Sequence, residues 1–210
     1  MISVLVVDDH RIFRSGIKRL LSDEPDIRVT DEAANGTEAL AKIRQRPFDV
    51  VMLDINMTGR SGLEAIACLR GEAPATPILI VSMYPEEQYA AVALKAGARG
   101  YVSKDADPED LVAAIREVCR GRIYVSPHFG ASMLLREKSG ARGPPHFDLS
   151  AREQQIMTEI VKGRSLTRIG EQMFLSVKTV STYRRRILEK LGLRSNAELV
   201  RYALRHRVID

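Results

Sequence analysis

Five times in the first 120 residues a short apolar run is followed by a stretch with helical spacing, and that alternation leaves few folds open. The runs are Ser3–Val7, Ile27–Ala34, Val50–Leu53, Ile78–Ser82 and Gly100–Ser103. They are too short for helices, and their Val and Ile content favours strands. Val50–Leu53 is apolar on both faces, as in a strand covered from both sides of a parallel sheet. Between the runs, apolar residues recur at helical spacing: Ile12, Phe13, Ile17, Leu20 and Leu21, then Ala39, Leu40 and Ile43, then Leu63, Ile66 and Leu69. A fourth helix is expected over Glu86–Ala96, closed by Gly97, and a fifth after Pro108 through Leu111, Val112, Ile115 and Val118. Right-handed crossovers place such helices on both faces of the sheet, so an α/β fold is expected. A flavodoxin-like five-stranded parallel sheet of order 2-1-3-4-5 matches the length. No G-x-G-x-x-G follows the first run, which argues against a dinucleotide site.

The ends of these runs carry the chemistry. The first ends in Asp8 and Asp9, the third in Asp54, the fourth in Ser82, and Lys104 follows the fifth. In a parallel sheet all of these lie on one edge, outside the carboxyl ends of the strands, where ligands bind in open α/β sheets. Any one of them alone reads as an ordinary strand end; together they read as a site. Carboxylates held close together repel, which favours capture of a hard cation such as Mg²⁺. A metal and a lysine would offset charge on an incoming phosphoryl group, with Asp54 as the nucleophile. Gly59 and Gly62, with Thr58 and Ser61, mark the loop that follows.

The remainder of the chain is helical by pattern. Residues 121–137 are expected to hold further helix after Pro127, and Lys138–Pro145, rich in Gly, Pro and charge, reads as a linker. Ser150-Ala-Arg-Glu153 has the form of a capping box at a helix start. Short helices follow over Leu166–Met173, Val177–Leu191 and Ala197–Arg205, with Ser176 capping the third and Asn196 the last. On Val177–Leu191, Val180, Ile187, Leu188 and Leu191 form an apolar stripe, while Lys178, Ser181, Thr182 and Arg185 lie at i, i+3, i+4 and i+7 on the other side. A solvated surface is the plain reading of such a basic face. The short helix–turn–helix before it favours a helix that enters a major groove, where Arg pairs with guanine and Ser or Thr with several base edges. Arg184 and Arg186 point elsewhere and suit phosphates.

LVVDDH, the LDINM loop, the IVS strand end and YVSK resemble a receiver domain of bacterial two-component systems over residues 1–120. The resemblance implies phosphoryl transfer from a sensor histidine kinase to Asp54. It implies Asp9, Asp54 and the Asn56 backbone carbonyl as Mg²⁺ ligands, with Asp8 acting directly or through water. Ser82 and Lys104 become phosphoryl contacts, and Tyr101 an aromatic switch that turns inward when Ser82 moves. Thr58 departs from the proline usual there, and Asn56 and Tyr84 occupy the positions that tune hydrolysis. Residues 148–207 are similar to the LuxR-type helix-turn-helix of NarL/FixJ-type regulators, carried by LSAREQQI, KGRSLTRIGEQM, SVKTVSTY, ILEKLGLRSNAEL and RYAL. That resemblance implies base reading by Ser181, Thr182 and Arg185, and backbone contacts from Lys178, Thr179, Tyr183 and Arg184. Ser165–Arg168 departs from the usual SNKE run, and Tyr183 replaces a common histidine. The last helix resembles the family's dimerisation helix, although Leu199, Val200, Ala203 and Leu204 suit an ordinary core equally. The expected parts are a receiver (1–120), a helical extension and linker (121–147) and a DNA-binding domain (148–210).

Charge supports the division. Residues 1–120 carry 15 Lys and Arg against 19 Asp and Glu, whereas residues 148–210 carry 13 against 7. An acidic front and a basic back suit different partners, the second a polyanion. No apolar run spans a bilayer, and the N-terminus lacks a basic leader region, so a cytoplasmic, non-membrane protein is expected. Cys68 and Cys119 fall in helical patterns and read as reduced thiols. No histidine pair has metal-ligand spacing, and His10, the one beside the acids, reads as solvated or packing. The reading that results is a transcription regulator, not an enzyme, whose phosphorylation shifts an equilibrium toward a DNA-competent form in which the receiver no longer masks the recognition helix or its dimer surface. Double-stranded DNA, the kinase, a second copy of the chain in a homodimer and RNA polymerase are the expected partners. The alternatives are a regulator controlled by partner binding without phosphorylation, and a Mg²⁺-dependent phosphatase.

Overall fold

The computed structural model describes residues 1–57, 62–139, 145–206 and 208, which fall into two compact units, Met1–Ser132 and Met133–Asp210. In the first, strands β1 (Ile2–Val7), β2 (Ile27–Ala33), β3 (Val50–Leu53), β4 (Ile78–Ser82) and β5 (Gly100–Ser103) form one parallel sheet of order β2-β1-β3-β4-β5. Helices α1 (Arg11–Ser22), α2 (Gly36–Gln45), α3 (Gly62–Glu72), α4 (Glu86–Ala96) and α5 (Pro108–Cys119) alternate with them. β3 and β4 are buried along their whole length, as continuous apolar runs require. One core joins Val4, Val6, Met52, Leu79 and Val102 of the sheet to Ile17 and Leu21 of α1 and to Leu111 and Ile115 of α5.

Backbone pairing continues one residue past the strands and so fixes the polar residues that follow. Asp8 N–H donates to the Ala33 carbonyl (3.0 Å), Asp54 N–H to Val7 (2.9 Å) and Lys104 N–H to Ser82 (2.8 Å). The chain then returns to the sheet: Tyr124 forms a parallel bridge to Gly100, an addition that no apolar run announced. A Cβ on Gly100 would lie 2.8 Å from Leu79 and 3.0 Å from the Tyr124 carbonyl, which accounts for glycine there. β2 stops one residue earlier than expected, and α3 begins at Gly62; Thr58, Gly59 and Ser61 lie outside the described residues.

Helix α6 (Pro127–Ser139) runs into the expected linker, and Pro145 opens a 3-10 turn through Asp148, so only 140–144 fall outside the described residues there. The second unit packs α7 (Ala151–Val161), α8 (Leu166–Met173), α9 (Val177–Leu191) and α10 (Asn196–Arg205) around Ile156, Ile160, Ile169, Val180, Ile187 and Leu199. Each helix starts on a serine whose hydroxyl accepts the N–H three residues on: Ser150, Ser165, Ser176 and Ser195. The cap of α10 is therefore Ser195 and not Asn196, whose side chain instead accepts from Arg184 Nε (2.6 Å). No helix among the described residues is long and apolar enough to cross a membrane.

The α8–α9 turn is tight. Leu175 N–H donates to the Gly170 carbonyl (2.8 Å), and a Cβ on Gly170 would stand 2.7 Å from the Leu175 carbonyl oxygen. Phe174 between them adopts φ 54° with its ring exposed. Gly170→Ala is expected to destabilise the second unit by about 1–3 kcal/mol through overpacking against backbone. Phe174→Gly relieves left-handed strain and should stabilise it by about 1 kcal/mol. Urea denaturation followed by circular dichroism checks both.

Candidate functional site

Asp8, Asp54 and Lys104 meet at the carboxyl edge of the sheet. Lys104 Nζ lies 2.5 Å from Asp8 Oδ2 and 2.7 Å from Asp54 Oδ2, and all three side chains are almost fully buried. The ammonium also rests 4.3 Å from the centroid of the Phe13 ring, a cation–π contact from α1. Asp54 Oδ1 accepts the Asn56 backbone N–H (2.8 Å), so Asn56 joins the site through its main chain. Arg14 Nη1 holds the Asp8 carbonyl (2.6 Å) and its Nε pairs with Glu32, which steadies the start of α1 beside the acids. His10 Nδ1 stands 3.1 Å from Asp8 Oδ1 and 2.9 Å from Asp9 Oδ1. Carboxylate oxygens of Asp8, Asp9 and Asp54 and a ring nitrogen of His10 all lie within 4.8 Å of one another.

Burial pushes the Asp54 carboxyl above its ordinary range, against the Lys104 hydrogen bond and the Asn56 N–H that favour its ionised form; the neighbouring Asp8 charge raises it further. For Lys104, burial pulls the ammonium down, but its hydrogen bonds to Asp54 and Asp8 outweigh that, and its pKa lies above the usual value. Three carboxylates thus face one ammonium, and a dication would bring the cluster to neutrality. Hard oxygen donors packed this closely fit Mg²⁺, which binds through one or two carboxylates and keeps several waters.

Ser82 ends β4 fully buried, and its Oγ accepts the Tyr84 N–H (3.1 Å). Tyr101 is also fully buried and its hydroxyl donates to the Tyr84 carbonyl (2.9 Å); burial raises its pKa strongly. The inward position of Tyr101 is thus reached while Ser82 still accepts from Tyr84. Tyr84 itself stacks on Tyr89 of α4, with ring centroids 4.4 Å apart.

The basic helix divides as its pattern foretells. Val180, Ile187, Leu188 and Leu191 of α9 are buried, while Lys178, Ser181, Arg185 and Arg186 are exposed. Thr182 is half-buried, and its hydroxyl donates back to the Lys178 carbonyl (3.0 Å), which leaves it an acceptor. Thr179 is held by the Ser176 hydroxyl. Tyr183 packs against the core, and Arg184 is tied to Asn196, so these two backbone-contact candidates have structural partners of their own. Arg185 pairs loosely with Glu189 at 3.6 Å, both side chains exposed. On α10, Leu199 and Ala203 are core, whereas Leu204 is exposed.

Residues 4–116 match the response regulator receiver domain family, and residues 148–203 match the bacterial regulatory proteins of the luxR family. The oxygen regulatory protein NreC of Staphylococcus carnosus is 37% identical over 99% of both chains. The response regulator GacA of Pseudomonas viridiflava is 40% identical over 100% of this chain and 99% of its own. The chain is a response regulator of the LuxR family. RcsB of Salmonella enterica serovar Typhimurium, solved bound to promoter rprA with the phosphomimetic BeF₃⁻, shares the fold with a TM-score of 0.68 at 23% identity, covering 96% of this chain and 98% of that one. This response regulator couples a receiver to a luxR-family helix-turn-helix, and it is a DNA-binding member of a two-component system.

Pairing in this response regulator places one cation against two buried carboxylates, so Lys104→Met leaves their charge uncompensated. That substitution is expected to cost about 3 kcal/mol in urea denaturation with chelator present, and adding Asp54→Asn should restore part of the loss. Asp54→Asn alone is expected to raise Tm at neutral pH. A carboxyl with a raised folded-state pKa destabilises the fold once ionised, so the gain should vanish as pH falls below the ordinary aspartate range.

Proposed function

We propose that Asp54 accepts a phosphoryl group from a histidine of a sensor kinase. The carboxylate oxygen forms the new P–O bond as the P–N bond to the donor imidazole breaks, and the leaving ring takes up a proton. Asp8, Asp9, Asp54 and the Asn56 carbonyl would hold Mg²⁺, which when bound supplies positive charge against the transferring oxygens. Lys104, held between Asp8 and Asp54, turns its ammonium to the phosphoryl oxygens once Asp54 Oδ2 is esterified. Ser82 donates its hydroxyl to another phosphoryl oxygen, giving up the Tyr84 N–H and so moving the segment that Tyr101 holds through the Tyr84 carbonyl. The observation that carries this reading is the buried Asp8–Lys104–Asp54 bridge at the carboxyl edge of a receiver-family sheet.

The output in this reading is double-stranded DNA. α9 lies in the major groove with Ser181, Thr182 and Arg185 toward base edges and Lys178 and Thr179 toward phosphates, with Tyr183 and Arg184 serving at the rim. The Arg185–Glu189 pair is exposed and weak, so it opens at little cost when a guanine takes the guanidinium. Phosphorylation shifts a pre-existing equilibrium toward a DNA-competent homodimer, to which the exposed Leu204 of α10 contributes, and RNA polymerase is the next partner.

A small-molecule phosphodonor with Mg²⁺ is expected to raise DNA affinity of the wild type and leave Asp54→Asn unchanged. Equal affinities would favour control by partner binding, and sustained turnover of a phosphomonoester would favour a phosphatase. Arg185→Ala should cost roughly 1–3 kcal/mol of binding and relax base choice, whereas Lys178→Ala should weaken all sequences alike and flatten the salt dependence. Fluorescence anisotropy on a panel of operators at several salt concentrations measures both.

A further inference from the structure

His10 is the side chain whose position the reading above leaves unused. It precedes α1 without capping it, because its ring turns back to the acids: Nδ1 lies 2.9 Å from Asp9 Oδ1 and 3.1 Å from Asp8 Oδ1. Its own N–H donates to Asp8 Oδ1 (2.7 Å), so the main chain at His10 is anchored beside the acids while the ring is largely exposed. Lys104 takes the other oxygen of Asp8, Oδ2. The two cationic or nitrogenous groups therefore approach the carboxylates from opposite edges.

We propose that His10, through Nδ1, is a further ligand of the divalent ion held by Asp8, Asp9 and Asp54, and that it tilts the site from Mg²⁺ toward borderline ions such as Mn²⁺, Co²⁺, Ni²⁺ and Zn²⁺. The inference rests on the reading of this acid cluster as a divalent-ion site. Metal–oxygen bonds of 2.0–2.1 Å in an octahedral shell put neighbouring ligands about 3.0 Å apart and opposite ones about 4.2 Å apart. The His10 contacts have the first spacing already, and the four-residue set, spread over 4.8 Å, needs only a small inward turn to reach the second. In that role Nδ1 would turn its lone pair toward the ion, with the ring N–H on Nε2. Carboxylates alone suit Mg²⁺; adding one imidazole raises affinity along the Irving–Williams series and does little for a hard ion.

The test uses the untagged full chain, with Mn²⁺ as probe in pulsed electron paramagnetic resonance. An imidazole ¹⁴N coupling is expected in the wild type, lost in His10→Asn and kept in His206→Asn. In calorimetry, His10→Asn should weaken Ni²⁺ binding at least roughly tenfold, the low end of what losing even a group that only supports a ligand costs, with Mg²⁺ affinity nearly unchanged. Mn²⁺ bound without that coupling, or with a coupling indifferent to His10→Asn, overturns the assignment of His10 alone. A wild type that binds neither Mn²⁺ nor Mg²⁺ removes the divalent-ion site itself, and His10 with it.

Discussion

Two carboxylates and one ammonium share a nearly dry corner of this protein, and the receiver unit is arranged to make that arrangement tolerable. In the order β2-β1-β3-β4-β5, Lys104 starts from the edge strand β5, with β4 between it and β3. Strands spaced ~4.8 Å apart put β5 about 10 Å from β3, so only a long, flexible side chain spans the gap. The lysine stem does so across Phe13, whose ring offers the ammonium a polarisable floor. Burial and ionisation compete there. Asp54 is held reluctant to ionise while Lys104 is held more firmly charged, so the corner as a whole favours positive charge.

Much of this could be read from residues alone, because a parallel sheet converts sequence position into spatial position. A strand end has one address, and Asp8, Asp54, Ser82 and Lys104 share it by their places in the chain alone. The contacts made by helices were not legible in the same way. Phe13 reads as one more apolar position of α1, and only its rotation about that helix places it beneath Lys104. His10 reads as solvated, and its side chain is indeed 66% exposed; what spacing could not announce is that the turn into α1 brings its ring against the two acids just before it. The Tyr124 bridge to Gly100 escaped for a third reason: a single residue pair carries no periodicity.

On the output side, the apolar stripe of α9 fixed which residues face out, but the stripe says nothing about which exposed groups are already engaged. Arg184 and Arg185 are adjacent in sequence and differ in freedom. Arg184 spans to Asn196 at the start of α10, twelve residues away, and braces two helices; Arg185 pairs with Glu189 one turn on, both exposed. Neighbouring guanidinium groups thus divide into one that shapes the bundle and one that is available to a ligand. Lys190 belongs with the first kind, since it holds Glu153 of the α7 capping box (2.6 Å) and locks α9 against α7.

Four serine hydroxyls open the four helices of the second unit. A helix whose first turn is pinned at a known residue has its azimuth pinned as well, since each residue advances the face by a fixed angle. Ser176 therefore fixes where the helical count of α9 begins, from which its apolar stripe turns the remaining residues outward, and Ser165 and Ser195 do the same for the helices on either side. Aim in this small bundle is thus shared between the hydroxyl groups that start each helix and the apolar stripe that docks it.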